Sequence, residues 1–458
     1  MVSKAALAPQ ANPVITASGL RGGTVDRYIN AARRLIAHLA DQLQADFAVE
    51  LWNGDVLPLG ANARTDLRLK IADADTLTRL LRRPHALFDQ LIQLLADGSL
   101  RIEGGTLLDV AERRGSMNTK GLFKRLSKVQ LARGLWPFVM RRLPRKDSKS
   151  HAFEGAIEDK VEKGRDDKPL VQFHYDLSND FYGLFLGPTM AYTCAYWPRP
   201  ETTLDEAQTA KFDMICRKLR LKPGDRFLDI GCGWAGLICH AAHHYGVSAH
   251  GVTLAQEQFE FAQERIARLA LEDKVTVELK DYRDLTDTFD KIASIGMFEH
   301  VGLDNHDAYF TKIHSLLRSR GLYLHHAIAR PAKRDMKKFR RKRPEFAALT
   351  KYIFPGGELD TVGMSINGLE RHAFEVHDVE AWREHYARTT RAWAENLYAS
   401  REAAEVEVGD AKTRIWLLYL AGCSLAFERS AVGIFQTLAS KKAKGPSGLP
   451  PTREDLYR

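Results

Sequence analysis

Between residues 226 and 327 the chain alternates two hydrophobic rhythms. Short apolar runs at 226–230, 248–253, 275–279, 291–296 and 321–327 are separated by stretches with apolar residues at helical spacing, among them 257–269 and 308–317. Runs this short, bounded by turn residues, read as buried strands. Strand and helix in alternation predict βαβ units, hence an α/β fold with a doubly wound, mostly parallel sheet and helices on both faces. The first run is the most informative. Phe227-Leu228-Asp229-Ile230 breaks into Gly231-Cys232-Gly233, and helical spacing resumes at Leu237, Ile238 and Ala241. A glycine turn there lies at the carboxyl end of a strand, where open sheets bind ligands. Glycine reaches positive φ and lets backbone approach a guest closely.

The pattern before residue 169 differs. Tyr28, Leu35, Ile36, Leu39 and Leu43 have helical spacing, whereas Phe47, Val49 and Leu51, then Leu67, Leu69 and Ile71, alternate with polar or small residues. Asn53-Gly54-Asp55 is a hairpin signal. Leu87, Phe88, Leu91, Leu94 and Leu95 predict a helix stopped by Asp97-Gly98, and Leu100-Arg101-Ile102 a strand. Residues 23–118 therefore read as a small N-terminal α+β domain, similar in pattern to sterol-carrier-like lipid-binding folds; a structural or dimerisation domain fits equally. Residues 1–22 read as a loose arm, 119–168 as a basic linker or helix, 169–445 as the α/β domain, and the Pro/Gly-rich 446–458 as an extended tail.

At 458 residues, with 45% hydrophobic and 27% charged residues, the chain has ordinary globular composition and length for two or three domains. Its net charge of +9 suits an anionic partner. From Lys120 to Lys149 there are ten Lys/Arg and one acid, Asp147, interleaved with Trp136, Phe138, Val139, Met140 and Leu143. That segment reads as a contact for a phospholipid bilayer surface, or as a solvated basic helix. No nucleic-acid-binding motif accompanies it. The five cysteines form no CxxC pair and no His/Cys cluster has zinc spacing, so a reducing compartment and no metal are expected. The N-terminus lacks a signal-peptide core, and the apolar run from Ile415 to Phe427 is too short to span a bilayer. The expectation is a cytoplasmic protein, peripherally associated with the membrane.

The glycine turn lacks two marks of other nucleotide sites. No acid stands at the tip of the second strand, Gly251-Val252-Thr253-Leu254, and no lysine follows the glycines. Thr253 and Gln258 must then serve the ribose. Asp281, after the third strand, stands where an adenine amino group finds a carboxylate. These features favour S-adenosylmethionine over NAD or ATP.

Nine motifs then carry a resemblance: FHYDLSNDFY at 173–182, MAYTCAYW at 190–197, LDIGCGWAG at 228–236, GVTLAQEQ at 251–258, KDYRDL at 280–285, GMFEHVG at 296–302, YIFPGG at 352–357, EHYARTTRAW at 384–393 and YLAGCSLAF at 419–427. In this order they resemble the cyclopropane-fatty-acyl-phospholipid synthases and the related mycolic acid cyclopropane synthases. The resemblance implies a Rossmann-like class I S-adenosylmethionine-dependent methyltransferase domain at 169–445. It implies transfer of a methylene unit to a cis double bond of a phospholipid acyl chain. The steps implied are methyl transfer, a carbocation, deprotonation by a bound bicarbonate ion and ring closure. A homodimer is implied as well. Methyl- or methylene-branched products, methylation of a small amine, and a lipid-binding protein without activity are the competing readings.

By the same resemblance, bicarbonate contacts fall at Cys194, Glu299, His326, Ile328 and Tyr386. Glu299 and His326 end predicted strands on the ligand side of the sheet, which supports them independently. Cys194 and Ile328 offer backbone N–H groups. Cys423, in the YLAGC motif, is marked as an active-site residue in the family, whereas its apolar setting reads as a core cysteine. Cofactor contacts fall at Tyr192 and Thr193, at Leu228, Asp229, Gly231, Cys232, Gly233, Trp234, Ala235 and Gly236, at Thr253, Leu254 and Gln258, and at Asp281, Tyr282 and Arg283. An acyl tunnel is expected around Phe181, Tyr182, Phe185, Tyr352, Phe354 and Trp393, for which a plain core role fits equally. Departures from the family pattern include Ala235 for a common glycine, Glu358-Leu359-Asp360 where Leu-Pro is usual, and Ala327 where Thr is common.

Overall fold

Every apolar run between 226 and 327 is a strand in the computed structural model, which describes residues 22–82, 87–114, 127–143, 177–341 and 344–457. The arm before Gly22, the stretch 144–176 and residues 115–126 lie outside the described residues; with them go the first four residues of FHYDLSNDFY and both ends of the basic run. Contacts divide the chain into two units, Met1–Pro84 with Arg113–Pro144, and His85–Glu112 with Arg145–Arg458.

In the smaller unit, helix α1 (Gly22–Leu43) buries Ile29, Ala32, Leu35 and Ile36. Strand β1 (Ala48–Glu50) pairs antiparallel with β2 (Val56–Pro58) and parallel with β3 (Arg68–Ile71). Gly54, at φ 89°, supplies the left-handed residue of the hairpin turn. Helix α2 (Ala74–Arg82) follows.

Residues 87–103 carry helix α3 (Leu87–Ala96) and strand β4 (Leu100–Glu103), as the pattern predicts. Contacts group them with the larger unit. The reason is specific bonding: the Tyr352 hydroxyl donates to Asp89 at 2.8 Å, and the Arg414 guanidinium donates to the Ala96 carbonyl at 2.9 Å.

Helix α4 (Lys128–Val139), from the basic run, belongs to the smaller unit. Its Gly134 lies close to Leu35 and its fully buried Phe138 packs 5.7 Å from the Tyr28 ring. The opposite face leaves Val129, Arg133, Trp136 and Met140 exposed, with Trp136 60% and Met140 61% accessible. These four follow one another at helical spacing and form a single stripe.

The larger unit carries a seven-stranded sheet in the order β10-β11-β9-β8-β5-β6-β7. Helix α5 (Asn179–Leu186) and helix α6 (Leu204–Lys218) precede it. Then come β5 (Arg226–Ile230), α7 (Gly236–Tyr245), β6 (Ser248–Thr253), α8 (Gln256–Arg268), β7 (Val275–Leu279), β8 (Phe289–Ile295), α9 (His306–Leu316) and β9 (Leu317–Ala329). Strands β5 to β9 are mutually parallel. The weaker pattern after Gly321 resolves into β10 (Phe374–Ala381), helices α10 (Arg383–Ala399) and α11 (Asp410–Glu428), and β11 (Gly433–Lys441). Strand β11 runs antiparallel to both its neighbours, β9 and β10. One apolar cluster lies on each face of the sheet, with Phe227 and Ile238 in one and Leu228 and Ile292 in the other.

The apolar run Ile415–Phe427 lies inside α11, with Ile415, Trp416, Leu420 and Phe427 buried. No described helix is long and apolar enough to cross a membrane. The tail is not simply extended. Residues Glu454–Leu456 make a 3-10 turn, and Leu456 anchors it in the cluster that holds Cys194 and Trp382.

Candidate functional site

The turn after β5 is shaped by its glycines. Gly231 and Gly233 have φ of 79° and 53°, and the N–H groups of Gly231 and Cys232 both donate to the Val252 carbonyl at 3.0 Å. A Cβ on Gly231 would lie 3.0 Å from Met297 Cγ, so only glycine keeps this backbone at the cleft wall. Ala235 caps α7 in the left-handed region at φ 63°, a conformation that costs a non-glycine residue roughly 1 kcal/mol.

A cleft opens over this turn. Tyr192 and Thr193 reach it from the loop before α6. Asp229 and the turn residues Gly231, Cys232, Gly233, Trp234 and Gly236 form its base. Thr253, Leu254 and Gln258 line it from β6 and α8, and Asp281 and Tyr282 from the loop after β7. Three expected contacts lie elsewhere. Leu228 packs in the cluster on the opposite face of the sheet, Ala235 is buried in the core, and Arg283 is folded onto Asp281. The Asp281 carboxylate accepts from the Arg283 backbone N–H at 2.8 Å and from its guanidinium at 2.7 Å. It therefore meets the cleft as a bound, oriented acceptor. Thr253 Oγ1 donates to Gln258 Oε1 at 2.8 Å, which turns the Gln258 amide N–H₂ outward.

Beneath the turn, Asp229 is almost fully buried, and its Oδ1 has no hydrogen-bond partner among the described residues. Lys211, on α6 and equally buried, donates to Thr193 Oγ1 at 2.8 Å. Burial pushes Asp229 up and Lys211 down, each opposed by the other's charge. An orphaned carboxylate oxygen and a glycine cradle suit a guest with an ammonium group and hydrogen-bonding edges, as in S-adenosylmethionine.

A second polar set stands at the carboxyl ends of β8 and β9. Glu299 lies on the 3-10 turn Phe298–His300, 4% exposed. Its Oε1 accepts from the Ile328 N–H at 2.6 Å and its Oε2 has no partner among the described residues. Burial pushes Glu299 up to about 7, while the bond from Ile328 pulls it down. His326 is 1% exposed; its Nδ1 meets Gln436 Nε2 at 3.1 Å, and its Nε2 is unpartnered. Burial and the charges of Lys211 and Lys218 hold it neutral, far below the ordinary histidine range. The adjacent His325 points the other way, bonded to the Tyr323 hydroxyl at 3.0 Å and to Ser365 at 3.2 Å. The alternation of a strand separates the two imidazoles.

Cys194, Ile328 and Tyr386 pack in one cluster with Trp382 and Phe427 beside this set. The Ile328 N–H, expected as a donor to an ion, is already bound by Glu299. Burial raises the Cys194 thiol well above its ordinary range, so it stays neutral. The hydroxyl of the half-buried Tyr386 is likewise raised, chiefly by burial. Cys423 is pushed up to about 12 by burial, against a hydrogen bond with Tyr419. This half-buried thiol favours its protonated form, which fits the core setting its apolar run suggests.

Among the residues expected to line an acyl tunnel, Phe181, Tyr182, Phe185 and Trp393 are fully buried and pack ring against ring. Tyr352 joins the rim of that cluster, and Phe354 stacks on His300 at 4.1 Å. The rings form a tight core wall. Tyr192 and Trp234 connect it to the cleft, the latter 5.1 Å from Tyr182.

Lys211, Lys218 and Gln436 have no place in the sequence reading, yet all are buried at the site. A signal existed. In α6, Ala207, Lys211, Met214 and Lys218 share one stripe, so the two lysines lie on its apolar face.

A profile described as mycolic acid cyclopropane synthetase matches residues 162–437. The chain is 37% identical over 431 residues to a probable fatty acid methyltransferase of Pseudomonas putida, covering 93% of this chain and all of that relative. It is 41% identical over 268 residues to cyclopropane-fatty-acyl-phospholipid synthase of Escherichia coli K12, covering 58% of this chain and 66% of that one. The solved mycolic acid cyclopropane synthase CmaA1, complexed with SAH and CTAB, matches with a TM-score of 0.57 and 34% identity, covering 60% of this chain and 98% of that one.

Proposed function

Because this chain belongs to the mycolic acid cyclopropane synthetase family, whose members are S-adenosylmethionine-dependent methyltransferases, we propose that it forms cyclopropane rings across cis double bonds of phospholipid-bound unsaturated acyl chains. The observation that carries the reading is the pairing of two sites. A cleft with the Asp229 carboxylate lies beside a buried polar set whose Glu299 Oε2 and His326 Nε2 both lack partners among the described residues.

S-adenosylmethionine, held by Asp229, the glycine turn, Thr253, Gln258 and Asp281, supplies the methyl group. Bicarbonate, held by Glu299 and His326, supplies a base for the proton that the new methyl group must lose. A Glu299 raised to about 7 can share a proton with such an anion where an ordinary carboxylate would repel it. The face of the Tyr386 ring offers electrostatic stabilisation to a cationic acyl carbon. The packed rings of Tyr182, Phe185, Tyr192 and Trp393 exclude water that would capture such a cation. An alkene is a weak nucleophile, so orientation by this rigid wall supplies much of the rate.

A methyl- or methylene-branched product is the second reading. It is favoured by the relative aligned along its whole length, which is named a probable fatty acid methyltransferase, and by Asp360. Where the family usually has proline, this carboxyl is buried close enough to Glu299 to sense its charge, and burial lifts it to about 7. Mass spectrometry of phospholipid fatty acids from cells with and without the gene separates the readings. A ring is expected: a one-methylene mass gain that survives mild hydrogenation. A product that takes up hydrogen under those conditions is methylene-branched and overturns the cyclopropane assignment.

We further propose that the stripe Val129, Arg133, Trp136 and Met140 touches an anionic bilayer. Tryptophan and methionine seat in the interface while arginine meets headgroup phosphate. Trp136→Glu is expected to weaken sedimentation with anionic vesicles by about tenfold, and added salt to weaken that of the unaltered protein. Binding indifferent to both would end the idea.

A further inference from the structure

His326 sits in a row that crosses three strands. Glu380 on β10 lies opposite Gln436 on β11, and Gln436 lies opposite His326 on β9. Residues directly opposite in a ladder point to the same face, so three polar side chains line up across the sheet. Lys218, 1% exposed, reaches this row from α6. Its ammonium forms an ion pair with Glu380 and donates to Gln436 Oε1 at 2.7 Å. An ammonium only donates, so Gln436 must turn its carbonyl oxygen to Lys218. The amide N–H₂ is left for His326, and Gln436 Nε2 lies 3.1 Å from His326 Nδ1. An N–H donor at Nδ1 requires a lone pair there, which leaves the single proton of the neutral ring on Nε2. That Nε2 is buried and unpartnered among the described residues.

We propose that Gln436 and Lys218 are positioning residues that fix His326 as the neutral tautomer with its proton on Nε2, a donor aimed at the anion site. Glu380 keeps Lys218 charged, Lys218 orients the amide, and the amide selects the tautomer. The Trp382 ring, 5.3 Å from the imidazole and nearly perpendicular to it, limits ring rotation. Only the destination of the donor rests on the bicarbonate reading given above; the tautomer itself does not.

The test is nitrogen NMR of the full chain with 15N-labelled histidine, using His326→Gln to assign the signals. The expected spectrum has His326 protonated at Nε2 and unprotonated at Nδ1. Gln436→Glu presents an acceptor to Nδ1 and is expected to move the proton there. Turnover should then fall at least about tenfold, with binding of S-adenosylhomocysteine unchanged as the check on folding. A wild-type spectrum with the proton on Nδ1 overturns the proposal, and so does a folded Gln436→Glu protein that keeps it on Nε2. If Gln436→Glu does not fold, the wild-type spectrum alone decides. Addition of bicarbonate distinguishes the two inferences. A shifted Nε2–H signal supports both, whereas an unmoved signal with the tautomer intact sinks the anion site and leaves the row standing.

Discussion

Glu299→Gln should abolish most turnover while making the protein no less stable above neutral pH. The amide keeps an oxygen for the Ile328 N–H, so the local backbone is preserved. What it loses is the exchangeable proton that lets the buried side chain share an anion. Groups that manage a proton in the reacting complex contribute on the order of 10²–10⁴-fold, and a fall of that size in kcat is expected. Binding of S-adenosylhomocysteine should change little, since Glu299 is not in the cofactor cleft. The stability effect has the opposite sign. Burial raises the folded-state value to about 7 from 4.5, so the protonated form favours the fold. That contribution is complete below the ordinary carboxylate range and is lost as pH rises through about 7. Glutamine does not ionise and escapes the loss. Thermal unfolding at pH 8 should therefore find Glu299→Gln at least as stable as the parent. Unchanged turnover would remove Glu299 from the chemistry, and a large loss of stability would contradict its protonation.

Arg265→Met should produce the larger structural loss. Arg265 lies on α8, 6% exposed, with its guanidinium donating to the carbonyls of Thr189, Trp234 and Pro188 at 3.0, 2.9 and 2.9 Å. Those carbonyls belong to the two loops that wall the cleft. Methionine fills similar space, yet it strands three acceptors at once, the Trp234 carbonyl buried and those of Pro188 and Thr189 partly so. Unsatisfied buried groups cost about 1–3 kcal/mol each, and partial entry of water reduces the sum, so a loss of about 3–5 kcal/mol is expected. Chemical denaturation measures it, and cofactor affinity should fall in parallel because the loops lose their common tie. Arg265→Lys should recover only part, since a single ammonium cannot span both loops. A change below about 0.5 kcal/mol for Arg265→Met, as at an ordinary surface position, would refute the clamp.

Much of this site is legible in the sequence because its parts stand where local patterns are strongest. Apolar-rich runs mark β5 to β9, and Glu299 and His326 stand near the carboxyl ends of two of them. The glycine turn is visible because its conformation demands glycine. The burial of Lys211, Lys218 and Arg265 is not legible in the same way. A cation on a helix reads as solvated until the packing partner is known, and those partners are remote: Gln436 and Glu380 for Lys218, the loops at 188–189 and 234 for Arg265. Helix α3 illustrates the same limit for apolar faces. Its periodicity fixes the helix, yet nothing in it indicates that Tyr352 and Arg414 will bind it. Ala235 is a different case. Alanine carries no turn signal, so its left-handed backbone is invisible until the dihedral is seen.

Strand β11 has a consequence for how the molecule is made. It inserts between β9 and β10, although residues 330–432 separate it from β9 along the chain. Pairings of such long sequence separation form late, because loop-closure entropy is lost before the ladder repays it. Until β11 arrives, β9 is an open edge, and open edges recruit other chains. An intermediate that has assembled β5 to β8 and the loop before α6 already owns the glycine turn and its cofactor cleft. It has no Gln436 beside His326. Cofactor capture can thus precede the last event of folding, whereas chemical competence arrives with it, in the same step that closes the aggregation-prone edge.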